Sequence, residues 1–238
     1  MDVLLLGAAK GRVGALNLGG ISNITIAGGG LDPIAYDIGA ANALLDAVIQ
    51  KFSAGRLSYD DDSKLARSGR VNGEWLKHFL AEPYYAQVPP KSTGKELFNL
   101  AYVENVAGPV TAEITPDLLA TLTELTAVTV MDQVRATGLE VLYVAGGGTA
   151  NPLMMERMRA LSGDTRVELM STLGIDPREK EPALFALIGL LTVHGLPANV
   201  PACTGATGPR ILGSITPGRG PLVLPPVHAE SITQLVIA

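Results

Sequence analysis

Leu16-Asn17-Leu18-Gly19-Gly20-Ile21-Ser22-Asn23 is the stretch on which the fold turns. A short apolar run enters two adjacent glycines and a β-branched run leaves them. This predicts two strands, Ala15 to Leu18 and Ile21 to Ala27, folded about a Gly-Gly bend. Adjacent glycines let backbone N–H groups approach an anion with no Cβ in the way. A second stretch of the same kind, Val144-Ala145-Gly146-Gly147-Gly148-Thr149-Ala150-Asn151, follows a predicted strand at Glu140 to Val144. Asn151 and Pro152 then read as the N-cap and first position of a helix, whose Met154, Met155 and Met158 are expected in the core.

Working outward, the chain alternates between the two periods. Ala40 to Lys51 places Leu44, Leu45, Val48 and Ile49 at helical spacing, with its N-terminal end toward Asp37. Residues 52–74 read as a solvated loop whose acidic run is Asp60-Asp61-Asp62, and Trp75 to Leu80 as a short helix ending before Pro83. Thr115 reads as a cap and Pro116 as a first helical residue, with Leu118, Leu122, Leu125 and Thr129 on one face of a helix reaching about Ala136. Gly138 ends it. Val167 to Met170 reads as a strand, Gly174 as a turn, and Glu181 to His194 as a buried helix. Alternating strands and helices predict an α/β fold. Residues 219–238, with Pro221, Pro225 and Pro226, read as a tail.

Composition narrows the function. With 238 residues, 47% hydrophobic, and a net charge of −5, the chain has enough apolar mass for a sizeable core and no basic footprint for nucleic acid. The longest apolar stretch, Ala183 to Val193, is too short to span a membrane, and the first residues are too short for a signal peptide. Cys203 is the only cysteine, which excludes an intrachain disulfide and fits a reducing cytoplasm. His78, His194 and His228 lack metal-ligand spacing, so no metal site is assigned. Lys91-Ser92-Thr93-Gly94-Lys95-Glu96 lacks the glycine spacing of a phosphate loop. From the residues alone, Asp37 reads equally well as a cap on the helix after it or as a base at a helix N-terminus.

The two glycine turns, with Pro89-Pro90-Lys91-Ser92-Thr93-Gly94-Lys95-Glu96-Leu97-Phe98-Asn99 between them, resemble the anhydro-N-acetylmuramic acid kinases from about Leu16 to about Gly218. These are sugar kinases of the actin/hexokinase superfamily. The resemblance implies an α/β, actin/hexokinase-like (ribonuclease H-like) kinase fold, mainly its C-terminal domain with part of the sugar-site region. Residues 1–218 would form the nucleotide- and sugar-binding region. The implied activity is ATP-dependent phosphorylation, with hydrolytic opening, of 1,6-anhydro-N-acetylmuramate to N-acetylmuramate 6-phosphate in cell-wall recycling. ATP with Mg²⁺, a small amino sugar, a cytoplasmic setting and a homodimer come with it, and neither nucleic acid nor membrane does.

Residue by residue, the resemblance implies that Asn17, Gly19, Gly20, Ser22 and Asn23 contact the nucleotide's phosphates and Gly146, Gly147 and Gly148 its adenosine. Asp37 would be the base that activates the attacking water, and Gly39, Asn42 and Glu181 would serve the sugar. Asp37-Ile38-Gly39-Ala40-Ala41-Asn42 departs from the family's Asp-Thr-Gly-Pro-Gly-Asn by losing a hydroxyl and a Pro-Gly pair, and Lys95 replaces its Arg. The family's N-terminal Gly-Thr-Ser-x-Asp-Gly loop has no counterpart before residue 16. Two expectations follow: negligible phosphoryl transfer by these 238 residues alone, and an alternative role as a non-catalytic nucleotide- or amino-sugar-binding module.

Overall fold

The computed structural model describes residues 1–176, 179–227 and 232–237. Its centre is a five-stranded sheet in the order β3-β2-β1-β4-β5. The strands are β1 (Arg12–Leu18), β2 (Ile21–Gly28), β3 (Ile34–Ala40), β4 (Val141–Ala145) and β5 (Arg166–Leu169). The first three are antiparallel neighbours, while β4 and β5 continue the sheet parallel to β1. That arrangement is the ribonuclease H-like α/β fold the resemblance implies. Helices follow as α1 (Asp2–Leu6), α2 (Asn42–Phe52), α3 (Lys64–Ser68), α4 (Gly73–Leu80), α5 (Leu100–Ala107), α6 (Thr115–Thr137), α7 (Pro152–Leu161), α8 (Lys180–Val193) and α9 (Pro201–Thr204).

Each face of the sheet has its own core, because side chains alternate along a strand. Leu16, Leu18, Ile24, Ile26, Tyr36 and Ile38 point to the side covered by α2, α6 and α7. Val13, Ala15, Ala27, Val141 and Ala145 point to the other, where Leu6 of α1 and Met170 complete a smaller cluster. The predicted stripe on α6 holds: Leu118, Leu122 and Leu125 are almost fully buried, each contributing roughly 1.5–3 kcal/mol. Three α6 threonines satisfy their hydroxyls within the helix, Thr121, Thr123 and Thr129 donating to carbonyls four residues back at 2.7–2.9 Å. Gly138 ends α6 in the left-handed region (φ +63), as glycine allows. Met154, Met155 and Met158 are buried, as expected.

Several sequence expectations give way. Thr115 does not cap α6; its hydroxyl donates to the Thr111 carbonyl at 2.6 Å, one turn before. Residues 52–74 are not merely a loop. Asp60 turns its carboxylate onto the N–H groups of Leu65 and Ala66 at 3.0 and 2.8 Å, starting α3. The apolar α8 is not buried either: only Leu191 among its residues is, and Phe185 and Leu190 are 63% and 52% exposed. Its composition suits a core, but neither core cluster reaches that face. In the predicted tail, 219–227 carries no regular structure, and Leu235 N–H donates to the Leu4 carbonyl at 3.0 Å. His228 lies outside the described residues. No helix is long and apolar enough to cross a membrane, and no group of three or more metal-ligating side chains forms among the described residues.

Candidate active site

Register brings the predicted residues together. Ala145 pairs with Asn17, Asn17 with Asn23, and Asn23 with Asp37, making one rung across four strands. Directly paired residues project to the same face of a sheet. The rung therefore continues the face of Val13, Ala15, Ala27 and Val141, but at the carboxyl ends of β1, β3 and β4 it turns polar. That is where open α/β sheets hold their ligands.

A cleft of about 780 Å³ opens over this end, lined by Asn17, Gly19, Asn23, Gly146, Gly147 and Glu181. Lys180 Nζ bonds Asp2 Oδ2 at 3.0 Å beside it, which leaves Glu181 as the α8 carboxylate without a described partner. Cys203 also lines the cleft; burial pushes its thiol pKa up, so it stays a protonated thiol and a poor nucleophile. Gly146 has φ +90, and a Cβ there would sit 2.6 Å from Asn17 Oδ1 and 2.7 Å from the Leu18 carbonyl oxygen. Only glycine fits so close an approach. At Gly147 the nearest atom is 3.9 Å away, so that residue offers the cleft an open backbone face.

Other predicted contacts face elsewhere. Ser22 is fully buried, its hydroxyl donating to the Gly39 carbonyl at 3.0 Å; it pairs with Leu18 and so shares that residue's core face, opposite to Asn23. Gly148 packs against Leu18, where an added Cβ would lie 2.6 Å from that side chain's Cβ. Gly20 lies under Lys95, with 3.3 Å between an added Cβ and Lys95 Cε. Gly39 makes room for the Tyr85 ring, which a Cβ would meet at 2.3 Å. Asn42 donates its Nδ2 to the Leu18 carbonyl at 3.1 Å. Gly20, Ser22, Asp37, Gly39, Asn42 and Gly148 do not line the cleft; Asp37 adjoins it through its pairing with Asn23.

Asp37 is neither a helix cap nor at a helix N-terminus. It lies inside β3, and the first N–H groups of α2 are taken by the Gly19 and Gly20 carbonyls at 3.0–3.1 Å. Its carboxylate is gripped on one side: Oδ2 accepts from Ser92 Oγ at 2.8 Å and from Thr93 N–H at 3.0 Å. Oδ1 has no described partner, so one oxygen is fixed and the other is left to take a proton. The backbone is held too. Asp37 N–H donates to the Lys91 carbonyl at 3.1 Å, and Tyr84 Oη donates to the Asp37 carbonyl at 2.7 Å.

The Pro-Pro-Lys-Ser-Thr segment thus has a structural meaning the sequence did not disclose: it runs along the open edge of β3 and grips Asp37. Lys91 anchors it. Its ammonium is buried, donates to the Tyr84 and Tyr85 carbonyls at 3.2 and 3.3 Å, and lies 4.6 Å from the centre of the Tyr84 ring. Burial lowers the Lys91 pKa, and burial with the nearby Asp37 charge raises that of Tyr84. Ser92 and Thr93 stood within a quoted motif, whereas nothing in the sequence marked Tyr84.

A family model described as anhydro-N-acetylmuramic acid kinase matches residues 1–218. The chain belongs to that family. The anhydro-N-acetylmuramic acid kinases of Streptomyces coelicolor and Streptomyces avermitilis are each 45% identical to it, over 96% and 100% of this chain but 59% and 61% of their own length. That of Rhodococcus erythropolis is 45% identical over 91% of this chain and 56% of its own. The chain therefore spans about three-fifths of the length of these curated relatives. Among solved structures, the ethanolamine utilization protein EutJ from Carboxydothermus hydrogenoformans covers 71% of the chain and 47% of its own, at 13% identity and a TM-score of 0.36.

Proposed function

We propose that this member of the anhydro-N-acetylmuramic acid kinase family binds ATP in the cleft between the two glycine turns and takes part in phosphorylating 1,6-anhydro-N-acetylmuramate with hydrolytic opening of its bridge. The observation that carries the reading is the rung Asn17, Asn23, Asp37, which joins a glycine-walled cleft to a carboxylate with one fixed and one free oxygen. In the reaction, water attacks the anomeric carbon and the bond from that carbon to O6 breaks. O6 takes the γ-phosphoryl group, the bond to the β-phosphate oxygen breaks, and ADP leaves. Asp37 Oδ1 receives the water's proton, while Ser92 and Thr93 hold Oδ2 so that the carboxylate cannot rotate away.

The Gly147 backbone gives the nucleotide room that a side chain would fill, and Asn17 and Asn23 offer carboxamide donors toward its phosphates. Glu181, at the cleft wall and without a partner among the described residues, suits sugar hydroxyls. Mg²⁺ bound with ATP would supply charge neutralisation at the phosphates; among the described residues no group of three or more metal-ligating side chains forms to hold it. Residues 1–218 form the binding region and 219–238 a tail in this reading, with a homodimer and a cytoplasmic setting as further expectations.

The test is a titration of the 238-residue chain with the ATP analogue AMPPNP and Mg²⁺, and with the anhydro sugar, followed by product analysis with ATP. Saturable binding of both ligands is expected. Absence of nucleotide binding overturns the reading. Since negligible phosphoryl transfer is expected of these 238 residues alone, product analysis is decisive on the protein extended to its relatives' full length, where binding of both ligands without any sugar phosphate or ADP favours the binding module over the kinase.

A further inference from the structure

We infer that Asn42 is a positioning residue that holds the two glycine turns of the nucleotide cleft to each other, and not a sugar contact. The inference rests on the nucleotide-cleft reading above. Its geometry centres on one atom, the Leu18 carbonyl oxygen. The second glycine turn closes directly on it: added Cβ atoms at Gly146 and Gly148 would lie 2.7 and 3.2 Å from it. Asn42 Nδ2 donates to the same oxygen at 3.1 Å, and is the nearest group to the open face of Gly147, at 3.9 Å. The Asn42 backbone N–H meanwhile donates to the Gly19 carbonyl at 3.1 Å. One residue at the start of α2 thus grips the β1–β2 turn through its main chain and side chain while its carboxamide abuts the β4 turn.

A carbonyl that meets a neighbouring turn at van der Waals distance needs its direction fixed, since a small rotation of that peptide moves the neighbour. The Asn42 carboxamide is the side chain that fixes it among the described residues. It also lies outside the lining of the cleft, so its effect on nucleotide is exerted through Leu18, Gly146 and Gly147.

The discriminating variant is Asn42→Asp. It keeps the size, removes the donor, and sets a negative charge at the first position of α2, where the helix dipole favours it. The dipole offsets only part of the lost hydrogen bond and of the repulsion between the new carboxylate and the Leu18 carbonyl, so the fold is expected to persist with a modest loss of thermal stability. In the intact chain, AMPPNP affinity with Mg²⁺ is expected to fall about threefold to tenfold, the range one lost neutral hydrogen bond gives. Affinity for the anhydro sugar is expected to stay within about twofold, since no hydrogen bond to it is lost. Asn42→Ala, tolerated early in a helix, should do the same.

Hydrogen exchange of the unliganded protein gives a readout that needs no ligand. The Thr149 and Asn151 amides, which close the β4 turn onto the Gly146 and Gly148 carbonyls at 3.1 and 3.0 Å, should exchange faster in both variants. Unchanged exchange at those two amides overturns the inference, as does a loss of sugar affinity at constant nucleotide affinity. Should the parent chain fail to bind AMPPNP, the nucleotide reading falls and exchange still decides whether Asn42 couples the turns.

Discussion

Replacing Gly146 and Gly147 by alanine, one at a time, separates a glycine needed by the backbone from one needed by a ligand. At position 146 the residue must adopt φ +90, which costs an L side chain roughly 1–2 kcal/mol. Its Cβ must also be accommodated 2.7 Å from the Leu18 carbonyl oxygen, a backbone atom that cannot swing aside, and overpacking of that kind costs about 1–3 kcal/mol. Gly146→Ala should therefore lose about 2–5 kcal/mol, a large part of the roughly 5–15 kcal/mol that holds a domain folded. At position 147 φ is not positive and the nearest atom is 3.9 Å away. Gly147→Ala should leave stability unchanged or raise it by up to about 1 kcal/mol through the unfolded chain. Its methyl group, however, faces the cleft, so AMPPNP affinity should fall, and further with Gly147→Val. Urea unfolding followed by Trp75, the single tryptophan, reads the first effect, and nucleotide titration the second. The argument fails if Gly146→Ala unfolds at the parent's urea concentration, or if Gly147→Ala is the more damaging of the two.

In the enzyme extended to its relatives' full length, Asp37→Asn can keep the grip of Ser92 and Thr93 through its amide oxygen while replacing the free oxygen by NH₂, so it should lose on the order of 10²–10⁴ in turnover with AMPPNP affinity intact; a turnover within about threefold of that enzyme's would remove the base assignment. Lys91→Met strips two carbonyls and a tyrosine ring of their buried cation, and urea unfolding should show a loss of about 2–4 kcal/mol, less whatever the ammonium's own desolvation costs. Tyr85 and Tyr102 have pKa values raised, chiefly by burial, above the ordinary 10. The unfolded chain then loses these protons first, so their stabilisation is complete below pH 10 and declines as pH rises from there. The slope is at most about 1.4 kcal/mol per pH unit for each, and less for Tyr102, which water screens. Tyr102→Phe should flatten the alkaline limb of a stability–pH curve, and an unaltered limb would refute the linkage.

Local patterns disclosed β1, β2, β4, β5, the longer helices and the positions of the glycines, but not β3, α1, α3, α5 or α9. The Gly19-Gly20 bend, the α6 stripe, the Gly138 stop and the Asn151-Pro152 start are each set by neighbours within a few residues, and each is found. The reach of Asp37 was not legible, because its partners Tyr84, Ser92 and Thr93 lie 47 to 56 residues away in sequence and meet it only along an open sheet edge. Ser22 was misread because alternation along β2 sets adjacent residues on opposite faces, so Ser22 and Asn23 of one motif cannot both meet the same ligand. The exposure of α8 was hidden because hydropathy reports how apolar a segment is and not what lies opposite it.

The polar rung gives the sheet a parity. Ala145, Asn17, Asn23 and Asp37 occupy four adjacent strands, so the span from the glycine turn after β4 to the carboxylate is fixed at three strand spacings, roughly 14 Å. Neighbouring residues of β3 have opposite fates: Asp37 shares the face of Asn23, while Tyr36 and Ile38 enter the large core. Inserting one residue between Ala35 and Asp37 would carry the carboxylate into the hydrocarbon interior and lift Ile38 toward the cleft. An insertion in the Gly29-Gly30 turn before β3 would leave that parity untouched. Length changes a few residues apart thus have opposite consequences for chemistry, and the same count of residues is harmless or fatal according to whether it falls outside or inside a strand.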